Sequence, residues 1–200
     1  MKADSSPADK TSGAGRPRDP RIDAAIVRAT ADLLVEVGYA SLTMAAVAQR
    51  AGTTKTALYR RWSSKAELVH EAVFPITPSA IDSPPGDIAA DLHAMVAAAR
   101  DVFTSPVVAA ALPGLISDVS ADAALLERVN ARFHDLFGAV RIRLRDAVDR
   151  GEVRGDVDPD ALVHLIGGAT MLTLLQDPGR LADAEWVDAT TSILLHGIVF

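Results

Sequence analysis

Thr53, Thr54, Lys55, Thr56 and Ala57, followed by Tyr59 and Arg60, place hydroxyls, an ammonium, a guanidinium and one methyl on the opening turns of a short segment. Those groups suit the edges of stacked bases. Lys55 can donate to guanine acceptors or to a phosphate, the threonine hydroxyls can donate or accept, and Ala57 can pack on a thymine methyl. Contacts to phosphate fix register, whereas Lys55 to Ala57 would set sequence preference. Leu58 reads as a core anchor that holds the segment at its angle, and Trp62 is given a mixed role of anchor and contact.

Other residues capable of chemistry are dispersed. The five histidines, His70, His93, His134, His164 and His196, do not cluster in sequence. Glu67 and His70 stand at the i, i+3 spacing of di-iron helices, but with no second such pair they read as a surface pair. Asp160 and His164 read as an ordinary i, i+4 contact. Gly13-Ala14-Gly15 is not followed by the GK[ST] of a phosphate cradle, no G-x-S-x-G elbow occurs, and cysteine is absent. No catalytic residue, metal or cofactor is therefore assigned, and no enzyme is expected.

The elements that must position the first group are written by their ends. Thr43 caps a helix that Gly52 terminates after Ala51, with Leu42 and Val47 at the two positions of a hydrophobic staple. Thr54 caps a second helix, and Ser64 with Glu67 forms the S-x-x-E capping box of a third, ending at about Phe74. Upstream, Asp19 and Pro20 open a helix whose apolar residues Ile22, Ile26, Ala29, Leu33 and Val37 recur until Gly38 stops it.

Gly38-Tyr39, Leu42-Thr43, Val47-Ala48, Ala51-Gly52, Leu58-Tyr59-Arg60 and Ser64-Lys65-Ala66-Glu67-Leu68 stand in the order and spacing of the TetR family of bacterial transcriptional regulators. The stretch from Arg21 to Val73 resembles that family, with Thr53 where an aliphatic residue is usual and Ala57 where Thr is frequent. The resemblance implies an all-α protein: an N-terminal three-helix helix-turn-helix DNA-binding domain followed by a larger helical ligand-binding and dimerisation domain. It also implies phosphate contacts by Thr43, Tyr59 and Lys65. The DNA-binding set is thus Thr43, Thr53, Thr54, Lys55, Thr56, Ala57, Tyr59, Arg60, Trp62 and Lys65.

Charge divides along the same line. Residues 10–65 carry ten Lys or Arg against four acids, a net +6, whereas residues 76–200 carry nine Arg against eighteen acids, a net −9. A basic head on an acidic body suits a protein that meets phosphate at one end only. Residues 1–18 are expected to be a disordered polar tail, with Gly15-Arg16-Pro17-Arg18 as a possible minor-groove arm. Residues 19–75 form the DNA-binding domain, the prolines of 76–86 mark a linker, and 87–200 form the body. No signal peptide or membrane span is legible, and a cytoplasmic location is expected.

In the body, helices are expected from Ile88 to Phe103, between Pro106 and Ser117 with a kink or split at Pro113, from Ala121 to Arg150, from Asp158 through Gln176, and from Asp183 to Phe200. The run Ala161 to Gln176 is apolar on nearly every side, so the last two helices read as a subunit interface carrying Ile166, Gly167, Gly168, Trp186, Ile193 and Leu194. A four-helix bundle between two copies is what the resemblance also implies. Met95, Phe103, Ile116, Phe133 and Phe137, with Asn130 and His134 for orientation, are candidates to line a cavity for a mostly apolar small-molecule effector. The function expected is that of a ligand-responsive repressor that binds a near-palindromic double-stranded DNA operator as a homodimer. The alternatives are a ligand-independent helical DNA-binding protein and an α-helical enzyme.

Overall fold

The computed structural model describes residues 19–74 and 87–198. The tail expected at 1–18 and the linker expected at 76–86 lie outside the described residues. The elements are α1 (Pro20–Ser41), α2 (Met44–Arg50), α3 (Lys55–Tyr59), α4 (Lys65–Val73), α5 (Ile88–Phe103), α6 (Pro106–Ala121), α7 (Ala123–Asp149), α8 (Pro159–Gln176), α9 (Pro178–Ala182) and α10 (Ala184–Ile198). The chain is all-α, a helix-turn-helix unit followed by a larger helical body.

The head is assembled from its caps. Asp19 accepts from the Arg21 N–H ahead of Pro20, and Gly38, at φ 73°, breaks α1 so that its last turn carries Tyr39 in a new direction. Thr43 accepts from the Ala46 N–H at 3.1 Å, flanked by the buried Leu42 and Val47. After Ala51 the chain turns through Gly52 at φ 64°. There Thr53 N–H donates to the Ala48 carbonyl at 2.9 Å and Gly52 N–H to that of Gln49 at 3.2 Å, which closes the end of α2 with two hydrogen bonds. Thr54 and Ser64 cap α3 and α4 by accepting from Ala57 and Glu67 N–H groups, both at 3.1 Å. The expected capping box is displaced by one residue. The Glu67 carboxylate reaches past Ser64 and accepts from the N–H and hydroxyl of Ser63, at 2.8 and 2.6 Å.

Five residues cannot sustain α3 alone, because a helix nucleus costs more than so short a run returns. Leu58, with no exposed surface, and the buried Trp62 just beyond the helix anchor it to α1, α2 and α4. Burying one leucine contributes about 2 kcal/mol. The same apolar cluster takes in Val108, Ala111, Leu112 and Leu115 of α6 and Leu125 of α7, so the head shares its core with the body. A second cluster is built from α5, α7, α8, α9 and α10, with Leu92, Val96, Val140, Leu144, Leu162, Leu181 and Trp186 inside it. Phe103 and Leu174 pack against both clusters. A buried ion pair, Arg143 to Asp91 at 2.6 Å, ties α7 to α5.

Two local expectations change. Helix α6 continues through Pro113 to Ala121 instead of splitting at Pro113 and ending by Ser117. Pro113 and Ala109 both face solvent, so water can serve the carbonyl that the proline leaves without a donor, while Leu112 and Leu115 hold the helix on the head. Helix α9 was not foreseen, although Asp177-Pro178 repeats the opening of α1 and α8. Asp177 accepts from the Arg180 N–H at 3.0 Å, and Leu181 anchors the turn with no exposed surface. Among the described residues no single helix is long and apolar enough to cross a membrane.

Candidate functional site

On α3, Lys55, Thr56, Tyr59 and Arg60 are exposed and stand at i, i+1, i+4 and i+5, which puts them on one face opposite the buried Leu58. Lys55 leans over the Tyr59 ring, its ammonium 5.7 Å from the ring centre, which keeps the cation close to the helix. Thr43 and Thr54 are exposed at the caps. Each hydroxyl oxygen already accepts from a backbone N–H, leaving its proton to donate outward. Thr53 and Ala57 are half-buried at the edge of this face.

Three basic or aromatic groups near it turn inward. Arg61 donates through Nε to Asp23 of α1 and through Nη1 to the Ala57 carbonyl at 3.0 Å. Trp62, taken as part contact, is buried, and its single N–H donates to Glu71 Oε2 at 2.8 Å, so it is an anchor only. Lys65, taken as a phosphate contact, donates to the Tyr39 carbonyl at 3.0 Å and lies 4.1 Å from the centre of the Tyr39 ring. An ammonium held on both the ring and the carbonyl joins α4 to the last turn of α1.

Tyr39 is the joint between head and body. Its hydroxyl donates to Asp118 of α6, its ring lies against Gly114, and burial together with the Asp118 carboxylate pushes its pKa well above the usual phenol value. A second connection passes through Glu71 of α4. The oxygen that accepts from Trp62 also accepts from Arg132 Nη1 of α7 at 2.8 Å. The end of the α3 segment and the body thus share one acceptor atom.

The effector-site candidates separate. Phe103, Phe133 and Phe137 are half-buried and meet in a chain of rings with His70, Phe74 and His164, neighbouring centres being 5.2–6.3 Å apart. Met95 packs against the second cluster. Ile116, Asn130 and His134 are exposed, because they lie on the outer faces of α6 and α7, away from that chain of rings. One cleft, with a volume of about 240 Å³, lies between α4 and α7, lined by Glu67, His70, Leu125, Arg128, Val129, Ala131 and Arg132.

His70, expected at the surface, is 2 % exposed, packed on Phe74 and Phe133. Sequence reasoning followed its spacing from Glu67 and missed that it shares the inner face of α4 with Ala66, Val69 and Val73. Burial and the neighbouring Arg132 push its pKa down to about 4 from an ordinary 6.5. The unfolded chain takes up a proton near 6.5 that the folded chain refuses until about 4. Stability present above 6.5 is therefore lost as pH falls across that window, and His70→Leu should flatten that part of the dependence. Urea unfolding of both proteins between pH 7 and 5 measures the difference; parallel curves would mean that His70 is not the group responsible. Asp160 likewise turns away from His164 and pairs with Arg141 of α7 at 3.1 Å.

Ile166 of α8 and Trp186 of α10, both expected at a subunit interface, are buried in the chain's own core. Leu194 is half-buried against the same core. Gly167 is half-buried, whereas Gly168 and Ile193 are exposed, Ile193 by 74 %. Leu165, Leu172 and Leu175 are also exposed and fall with Gly168 on one stripe at a seven-residue repeat. The uniformly apolar sequence of α8 hid that stripe, since only the packing against α5 and α7 decides which side is left over.

Comparisons with known proteins bear on both parts of the chain. Residues 26–72 match the family described as bacterial regulatory proteins, tetR family, and residues 83–193 match the tetracyclin repressor-like C-terminal domain. An uncharacterised helix-turn-helix transcriptional regulator of Mycobacterium bovis is 34 % identical over 162 residues, covering 78 % of this chain and 79 % of that protein. The DNA-binding transcriptional repressor TetR of Mycobacteroides abscessus is 31 % identical over 168 residues, covering 80 % and 85 %. A TetR family transcription regulator of known crystal structure superimposes with a TM-score of 0.68 at 31 % identity, covering 90 % of this chain and 100 % of that one.

Proposed function

The chain belongs to the TetR family of bacterial regulatory proteins, and from that premise we propose that it is a ligand-responsive repressor acting as a homodimer on a near-palindromic operator. As a member of that family it is a DNA-binding transcriptional regulator and not an enzyme. The observation that carries the finer reading is the exposed face of α3, where Lys55, Thr56, Tyr59 and Arg60 stand together on a helix held by Leu58 and Trp62. Lys55, Thr56 and Ala57 read base edges; Thr43, Thr53, Thr54, Tyr59 and Arg60 hold the duplex backbone. Two copies paired through the exposed stripe of α8 and Ile193 of α10 present two such faces to successive major grooves, roughly 34 Å apart. The regulator works in the cytoplasm, where its operator is. An effector bound in the body acts on the heads through Tyr39 and Glu71, and it must prefer the arrangement that does not fit DNA.

The test is Lys55→Ala. It should weaken operator binding by about 1–3 kcal/mol and leave binding to random duplex much less affected. Titrations at several salt concentrations separate the base-specific loss from the phosphate term. Unchanged affinity for both duplexes would remove α3 as the reading helix.

A further inference from the structure

The cleft between α4 and α7 holds polar atoms that none of the described residues satisfies. Both ring nitrogens of His70 and the Nε atoms of Arg128 and Arg132 are buried without a hydrogen-bond partner. Native proteins leave few such atoms, because each forfeits its hydration without a replacement. Their carboxylate neighbours are already engaged. Glu67 Oε2 accepts from Ser63 twice and lies 3.7 Å from Arg128 Nε, too far for a hydrogen bond, and Glu71 Oε2 is shared by Trp62 and Arg132 Nη1. Among the fully buried atoms of the cleft, three unused donors, two guanidinium N–H groups and one imidazole N–H, stand against a single unused acceptor on His70. Leu125 and Val129 supply an apolar wall beside them.

We propose that this cleft is the effector site and that its ligand is a small carboxylic acid with an apolar body. Its carboxylate takes the N–H groups of His70, Arg128 and Arg132, and its body lies on Leu125 and Val129. Both arginines have been drawn only partly into pairs, so a carboxylate gains more here than a neutral oxygen acceptor of the same shape. At about 240 Å³ the cleft is smaller than the roughly 300–1,000 Å³ of sites for drug-sized molecules, which sets the scale of the guest. The inference rests on the reading of the protein as a ligand-responsive regulator and revises the mostly apolar guest expected from sequence.

The experiment compares benzoate and phenylacetate with benzamide and phenylacetamide on the full-length protein, by thermal melting and operator titration at fixed ionic strength. The acids should raise Tm by about 3–6 °C at tenfold over Kd and weaken operator binding, and the amides should do neither to the same degree. His70→Leu should raise Tm without any ligand, since it removes an unsatisfied buried group, and should abolish the response to the acids. Arg132→Met should abolish that response as well. Acids and amides acting alike, no response to either at millimolar concentration, or a lower unliganded Tm for His70→Leu would each overturn the proposal. If neutral apolar compounds release the operator while the acids do not, the cleft assignment falls and the ligand-responsive reading stands. If Lys55→Ala leaves operator binding intact, the regulator reading fails at α3, and the acid-specific Tm shift remains a separate result.

Discussion

Leu172→Asp is expected to turn a dimer into monomers and to lower operator affinity by about 10²–10⁴, the advantage that a second linked head confers. Leu172 sits in the exposed stripe of α8 with Leu165, Gly168 and Leu175, clear of the protomer's own core. The substitution should leave the fold of each protomer intact. Across a twofold axis it would bury two carboxylates without partners, each costing about 3–5 kcal/mol. Sedimentation velocity at micromolar concentration and operator titration read the two effects together. A wild type that sediments as a monomer, or a variant that remains dimeric with full affinity, would show that the stripe is not the interface.

Gly114→Ala should destabilise the protein by about 1–3 kcal/mol, reversing the gain of about 1 kcal/mol that the same change usually brings inside a helix. A Cβ at this position would stand 2.2 Å from Tyr39 Cδ1 and 2.8 Å from Cγ and Cε1. The ring has little room to retreat, because its hydroxyl is bonded to Asp118 and the Lys65 ammonium rests on it. The sign depends on the tyrosine. In a Tyr39→Ala background, Gly114→Ala should become neutral or stabilising, and denaturant unfolding of the four proteins in this cycle would isolate the collision. Equal effects in both backgrounds would show that α6 and the end of α1 do not approach as closely as described.

The parts of the fold legible in sequence were those governed by neighbours in the chain. Asp19-Pro20, Thr43, Gly52, Thr54 and Ser64 act within a few residues of themselves, so their types and spacing are enough to draw the head. What depends on packing was misread in proportion to that dependence. Trp62 looks like a DNA contact until Glu71, 9 residues away in the chain, is seen to hold it, and the inward bond of Lys65 to Tyr39, 26 residues away, is equally invisible in sequence. The apolar run of α8 announces burial on every side but cannot say that Ile166 faces its own core while Leu165 and Leu172 do not. His70 was placed at the surface by its spacing from Glu67, because its burial depends on Arg132 and Phe133 of α7, which come to it only in the fold.

One carboxylate oxygen, Glu71 Oε2, receives both the Trp62 N–H that steadies the end of the α3 segment and the Arg132 guanidinium at the rim of the cleft. A sharing of this kind runs in both directions. Whatever factor a cleft ligand removes from operator affinity, the operator must remove from ligand affinity, since the two ways of reaching the doubly bound state have the same total free energy. The free regulator would then answer to lower ligand concentrations than the regulator already seated on its operator. Its switching point in a cell would shift with the ratio of protein to operator sites, a dosage effect set by the geometry of a single oxygen atom.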